Sequence, residues 1–157
     1  MRAIVATDRT AATVGMLVER PEPRAAINDV LLQVYASGFV PTELAWPSTW
    51  TDRIDRDRTP TIPGHELAGV VAALGYGARG LSVGQRVFGL TDWYRDGTLA
   101  EYVAVEARNL ALLPGDVDFV VEPDRAQLSE IVRRVRDGRL RTNIGNVSTL
   151  DDAVAKG

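Results

Sequence analysis

The chain contains no cysteine. That absence excludes disulfides, iron–sulfur clusters, thiolate zinc sites and a cysteine nucleophile. It also lacks any excess of basic charge. With a net charge of −3 and a pI near 5.2, it offers no basic footprint for nucleic acid or anionic lipid. Long hydrophobic runs are missing too. The longest, around Leu67 to Leu74, falls far short of the ~20 residues that span a bilayer. The N-terminal MRAIVATDRT has no long apolar core of the signal-peptide kind. What remains is ordinary: 157 residues, 45% apolar and 25% charged, about one domain's worth. A chain of this length buries roughly two thirds of its unfolded surface, enough to fold without staples. The expectation is a soluble, cytoplasmic domain with no nucleic-acid or membrane partner.

The first two thirds read as β-structure. Arg2 to Thr7, Val14 to Val18, Val30 to Ala36, Leu67 to Leu74, Gln85 to Leu90, Leu99 to Val105 and Leu110 to Leu113 are short β-rich runs. Gly, Pro, Asp and Asn punctuate them at strand-and-turn spacing. Val30, Leu32 and Val34 alternate with Leu31, Gln33 and Tyr35, so one face of that strand is buried. The last third changes period. Asp124 with Gln127 reads as a capping box, and Leu128, Ile131, Val132 and Val135 follow at helical spacing up to a terminating Gly138. A strand near Leu140 to Val147 and a short helix capped by Thr149 complete a mainly β, α+β pattern.

Two features are set aside. Trp46 to Pro63 is a long connection without periodicity, carrying Trp46, Trp50 and the charge run from Asp52 to Arg58; it reads as a solvated, self-pairing loop or a lid. Gly75-Tyr76-Gly77-Ala78-Arg79-Gly80 fits G-x-G-x-x-G. A dinucleotide fingerprint must open a helix, whereas this stretch returns to a strand pattern, so it predicts a turn.

Pro63-Gly64-His65-Glu66-Leu67-Ala68-Gly69-Val70-Val71, followed by Leu81-Ser82-Val83-Gly84-Gln85-Arg86-Val87, resembles the medium-chain dehydrogenase/reductase superfamily. The stretches Val30 to Leu44 (VLLQVYASGFVPTEL), Gly97 to Val103 (GTLAEYV) and Glu122 to Leu140 (EPDRAQLSEIVRRVRDGRL) agree with it. The superfamily includes zinc alcohol dehydrogenases and zinc-free quinone oxidoreductases. The resemblance implies a GroES-like catalytic domain, a partial β-barrel with a C-terminal helix–strand–helix segment. A single domain over 1–157 is expected, with a first part at 1–116 and a returning part at 117–157. Family members insert a Rossmann domain between these parts, and here Leu113-Pro114-Gly115-Asp116 runs directly into Val117-Asp118-Phe119. The expectation is therefore a chain that binds no NAD(P) in the family's manner, with no cofactor of its own.

The resemblance also nominates a site. Zinc members hold their metal through an early cysteine, the histidine of G-H-E and a later cysteine. Here Val40 stands at the first position and His65 at the second. One His and one Glu fall short of three protein ligands, so no metal is expected. His65 is the only histidine. Glu43 stands where the family has an acid that orients this histidine, which implies a fixed tautomer and raised basicity. The resemblance places Thr42 beside the substrate oxygen and the loop after Leu90 on the cleft wall. Candidate catalytic residues are thus His65, Glu43, Thr42, Tyr94 and Glu66; Val40, Trp46, Trp50, Asp92 and Trp93 are candidates to bind substrate.

The leading expectation is a cofactor-independent, non-redox enzyme: a cyclase, isomerase or lyase acting on a carbonyl-bearing, polyketide-like small molecule. His65 is the base, with Thr42 or Tyr94 polarising the carbonyl. The first alternative is an NAD(P)H-dependent quinone or alkene oxidoreductase whose nucleotide domain is supplied in trans. The second is a non-catalytic small-molecule-binding protein. A face left bare by the missing nucleotide domain implies a homodimer through that face, or the long tryptophan loop folded over it.

Overall fold

The computed structural model describes residues 1–9, 15–115 and 149–151. Seven strands lie among them: β1 (Arg2–Val5), β2 (Met16–Glu19), β3 (Asp29–Gly38), β4 (Glu66–Leu74), β5 (Arg86–Leu90), β6 (Tyr102–Glu106) and β7 (Leu110–Leu112). β1 and β2 pair antiparallel as a two-stranded sheet, and the other five form an antiparallel sheet in the order β6-β3-β4-β5-β7. This is the mainly β architecture expected of a GroES-like domain.

The strands form where β-branched residues alternate. Val30, Leu32, Leu67, Val71, Val87, Val103 and Val105 supply a continuous buried cluster on one face of the five-stranded sheet. Each such side chain contributes roughly 1.5–3 kcal/mol on burial. The register sets one further feature. β3 pairs with β4 from Val30–Leu74 to Gly38–Glu66, with irregularities at Leu31/Leu32 and Val34/Ala36. Such bulges bend a strand and increase its twist. The far ends of β3 and β4 therefore lie side by side, and the candidate site begins there.

The small sheet is tied in by isolated bridges, Ala3 to Ala100 and Ala6 to Thr61. Ala3, Val5, Ile62 and Ala100 form the cluster beneath it. The expected strand from Leu99 is thus divided: Ala100 belongs to the β1 bridge, and β6 begins only at Tyr102. The stretch from Trp46 is also more ordered than its composition predicts. A 3₁₀ turn spans Pro41–Ala45, and one α-helical turn, α1, spans Pro47–Trp50 with Pro47 at its start, where proline's missing N–H costs nothing. One turn is too short to leave a period in the sequence.

The six-residue glycine match forms turns, as its context predicts. Gly77 and Gly80 take positive φ, 81° and 80°, and the chain passes from β4 to β5 without a helix. The helix expected from Asp124 and the strand near Leu140 fall outside the described residues. Leu150 and Asp151 are helical directly after Thr149, and Arg2 holds Asp151 through a 3.1 Å ion pair. No helix among the described residues is long and apolar enough to cross a membrane.

Candidate functional site

The site is assembled where the 3₁₀ turn after β3 meets the approach to β4. Glu43 is 4% exposed, and its carboxylate joins the two segments. Oε1 accepts the Val40 N–H at 3.3 Å and Oε2 the Gly64 N–H at 3.0 Å. Gly64 has φ +88°, and a Cβ there would lie 2.7 Å from Thr98 Oγ1. A side chain is excluded both by conformation and by space. Gly97 is fixed by its neighbour: a Cβ would come within 2.0 Å of the Gly64 carbonyl oxygen. These close approaches deliver His65 into the interior.

His65 is 2% exposed. Its Nδ1 lies 3.0 Å from Thr91 Oγ1, and the Thr91 N–H donates to the His65 carbonyl at 2.8 Å. Nε2 lies 3.7 Å from Glu43 Oε2, beyond hydrogen-bonding distance. Two tryptophans enclose the ring. Trp93 stands 4.5 Å away between centroids and Trp46 is stacked at 6.3 Å, while the indoles meet edge to face at 5.1 Å.

Electrostatics here run against the expectation of a more basic imidazole. Burial, aided by the charge of Arg58, lowers the His65 pKa to about 4; Asp92 opposes this only in part. Burial raises the Glu43 pKa, with Glu66 adding to it, against the two backbone N–H bonds that lower it. Removing a charge from water costs more here than a partner at 3.7 Å returns. At neutral pH His65 is a neutral imidazole and its contact with Glu43 is not an ion pair.

The structure separates the remaining candidates. Asp92 accepts a 2.6 Å bond from Arg53 and the Tyr94 N–H at 3.0 Å. Burial pushes against ionisation, but these partners hold its carboxyl below the usual range. Arg53 also lies over the Tyr94 ring at 5.0 Å, so Asp92, Trp93 and Tyr94 form one anchored loop beside His65. Val40 is 50% exposed, and Thr42 is exposed on the same 3₁₀ segment. Glu66 is exposed at the start of β4, where its carboxylate lies against Gly38; none of the recorded bonds links it to His65. Trp50 belongs elsewhere. It is 3% exposed, packs with Ala6 and Leu44, and donates its indole N–H to the Leu44 carbonyl at 2.8 Å. Its ring is a core group, apart from the Trp46–Trp93 pair.

Two residues of this neighbourhood carry no sequence signal of their role. Thr91 holds the inner ring nitrogen but reads as a polar residue ending a strand. Arg58 sits in a run that reads as solvated, and only part of that run is. Arg56 pairs with Asp52 four residues earlier, whereas the Arg58 side chain is 12% exposed and donates to the Ser48 carbonyl.

Metal and nucleotide can each be tested against these groups. Among the described residues no three His, Cys, Asp or Glu side chains converge on one point. With Val40 in place of the family's thiolate, the donor set does not fit a catalytic zinc. The glycine-rich stretch opens no helix toward a phosphate, so it does not form a dinucleotide fingerprint.

Comparison with known proteins supplies the context. A chloroplastic NADPH-dependent alkenal/one oxidoreductase from Arabidopsis thaliana is 31% identical over 126 residues, covering 76% of this chain and 32% of the relative. A 2-methylene-furan-3-one reductase from Solanum lycopersicum is 41% identical over 66 residues, covering 38% of this chain and 17% of the relative. Among solved structures, an alcohol dehydrogenase superfamily protein from Novosphingobium aromaticivorans superposes with a TM-score of 0.64 at 32% identity, covering 76% of this chain and 36% of that one. The chain thus spans about a third of the length of the alkenal/one oxidoreductase. These relatives overturn the expectation of a cofactor-independent cyclase, isomerase or lyase. They are oxidoreductases, and a base with its pKa lowered by burial does not favour acid/base chemistry at neutral pH. The alcohol dehydrogenase GroES-like domain matches residues 26–115, more than half of the chain, and the chain belongs to that family.

Proposed function

We propose that this chain is the substrate-binding part of a zinc-independent, NAD(P)H-dependent reductase of conjugated carbonyl compounds or quinones, with the nucleotide held by groups other than the residues described. The observation that carries this reading is the aromatic enclosure of a neutral His65 by Trp46 and Trp93. Trp93 leaves 42% of its surface open, and Val40, Leu90 and Tyr94 are exposed apolar groups around the same end of the sheet. A flat, conjugated acceptor suits such surfaces, because indole faces offer apolar contact with defined stacking geometry. The alkenal/one oxidoreductase and the methylene-furanone reductase named above both act, by their names, on conjugated carbonyl compounds.

The nicotinamide would bring the hydride; the groups of this chain hold and orient the acceptor. Thr42 presents an exposed hydroxyl on the 3₁₀ turn, a donor for a carbonyl oxygen. His65 acts at one remove in this reading. Kept neutral and packed against both indoles, it supports them from below, and Glu43 holds its neighbour Gly64.

The test is NADPH oxidation by the full chain recovered from its native host with whatever it associates with, using a 2-alkenal, an exocyclic enone and a quinone. Turnover should persist in chelator. Trp93→Ala should lower kcat/KM by about tenfold, the value of one lost aromatic wall. An assembly that leaves NADPH untouched with all three acceptors refutes the proposal.

A further inference from the structure

A concavity lies beside the aromatic site and shares Arg58 with its surroundings. Its volume is about 540 Å³, and none of Glu43, His65, Trp46 or Trp93 lines it. Four arginines do, namely Arg20, Arg24, Arg58 and Arg95, against the single carboxylate of Asp96.

Accounting for their donors shows what this cavity lacks. Arg95 is satisfied by both carboxylate oxygens of buried Asp29. Arg20 reaches the Pro60 carbonyl at 3.4 Å and lies 3.8 Å from Asp96. Arg58 donates one Nη to Ser48 at 2.6 Å; its other Nη is buried with no hydrogen-bond partner, 3.6 Å from Asp96. Arg24 is exposed and makes no recorded bond or ion pair among the described residues. Asp96 also serves the Ile62 N–H at 3.2 Å. Two guanidinium groups, Arg20 and Arg58, therefore share one carboxylate already engaged elsewhere, and Arg24 beside them has no carboxylate at all among the described residues. A buried donor without a partner costs roughly 1–3 kcal/mol, more when charged. Arginine cannot escape by losing its proton, so an anionic acceptor in the cavity would relieve it.

We propose that this cavity is a binding site for a small phosphomonoester. A phosphate group presents several oxygens to guanidinium forks at once, where a carboxylate presents two. The space exceeds what a bare phosphate would fill, and it lies within the range of small-molecule sites. Pro21, Pro23 and Pro60 line the same cavity with Tyr102, rigid and partly apolar surfaces suited to an organic body beside the phosphate.

The probe is phenyl phosphate, titrated into the full chain at constant ionic strength and followed by amide NMR, with benzoate and inorganic phosphate in parallel. Saturable shifts at Gly97, Tyr102 and Ala104 are expected, strongest for phenyl phosphate. Replacing Arg58 perturbs packing as well as charge, so the exposed Arg24 carries the test. Arg24→Gln should weaken binding about tenfold, the value of one charge-assisted bond. Asp96→Asn keeps an acceptor for Ile62 while removing the competing charge, and should tighten binding. The proposal is overturned by a lack of saturable shifts, by benzoate binding as well as phenyl phosphate, or by affinity indifferent to both substitutions.

Discussion

The burial of His65 has a measurable cost that can be separated from everything else in the molecule. Its folded-state pKa of about 4 lies below the ordinary 6.5, so as pH falls the unfolded chain takes up the proton first. Stability is therefore unaffected well above 6.5, declines as pH drops from 6.5 toward about 4, and levels off below that. The full penalty is about 3 kcal/mol, and about 2 kcal/mol of it is incurred by about pH 5. Glu43 pulls the other way. Its raised pKa means that the buried carboxylate becomes less costly as pH falls through that raised value, so the wild-type profile alone mixes the two. His65→Asn removes the imidazole term while leaving the rest of the acid titration in place. Urea unfolding of both proteins at about pH 7.5 and about pH 5 should show the wild type losing about 2 kcal/mol more than the variant. Because the chain has one histidine, its ring protons report the midpoint directly by NMR. A midpoint between 6 and 7, with parallel pH profiles for the two proteins, would refute the claim that desolvation governs this ring.

Two further substitutions test the placement of polar and aromatic groups. Trp50→Ala should destabilise the fold by about 3–5 kcal/mol in thermal or urea unfolding, and any variant folded at low temperature should retain its acceptor KM, since Trp50 is a core group; a KM rise on the scale of Trp93→Ala would place it in the site after all. Asp29→Asn should cost about 2–3 kcal/mol by urea unfolding, less than a fully buried pair because the Arg95 side chain is 32% exposed; a neutral result would show that Arg95 finds another partner.

What the sequence revealed and what it hid divide along physical lines. The alternation of Val30, Leu32 and Val34 and the apolar run of β4 follow from the two-residue period of a strand, and they appear in the fold within one or two residues at each end. The G-H-E stretch placed Glu43 near His65 because that proximity is carried by the family pattern. The sign of the His65 shift was not legible, because it depends on how much water the ring loses, and desolvation is a property of packing from distant segments. Thr91 and Arg58 were hidden for the same reason: a strand-end threonine and one arginine in a charge run are defined only by what folds against them. Trp50 and Trp46 are four residues apart and look alike in sequence, yet one turn of helix directs the first into the core beside Leu44 and leaves the second against His65.

The contact between Arg53 and Asp92 bears on how the two sides of the aromatic site respond to their surroundings. Arg53 lies at the start of the charge run, with 68% of its side chain in solvent, and clasps the loop that carries Trp93. Screening at physiological ionic strength acts over about 8 Å and shrinks to about 3 Å in molar salt, so this outer clasp weakens as salt rises. The inner side has no such sensitivity, since Glu43 holds Gly64 through buried backbone bonds. Rising salt therefore loosens the outer support of the Trp93 wall while leaving the backbone bonds beneath His65 intact.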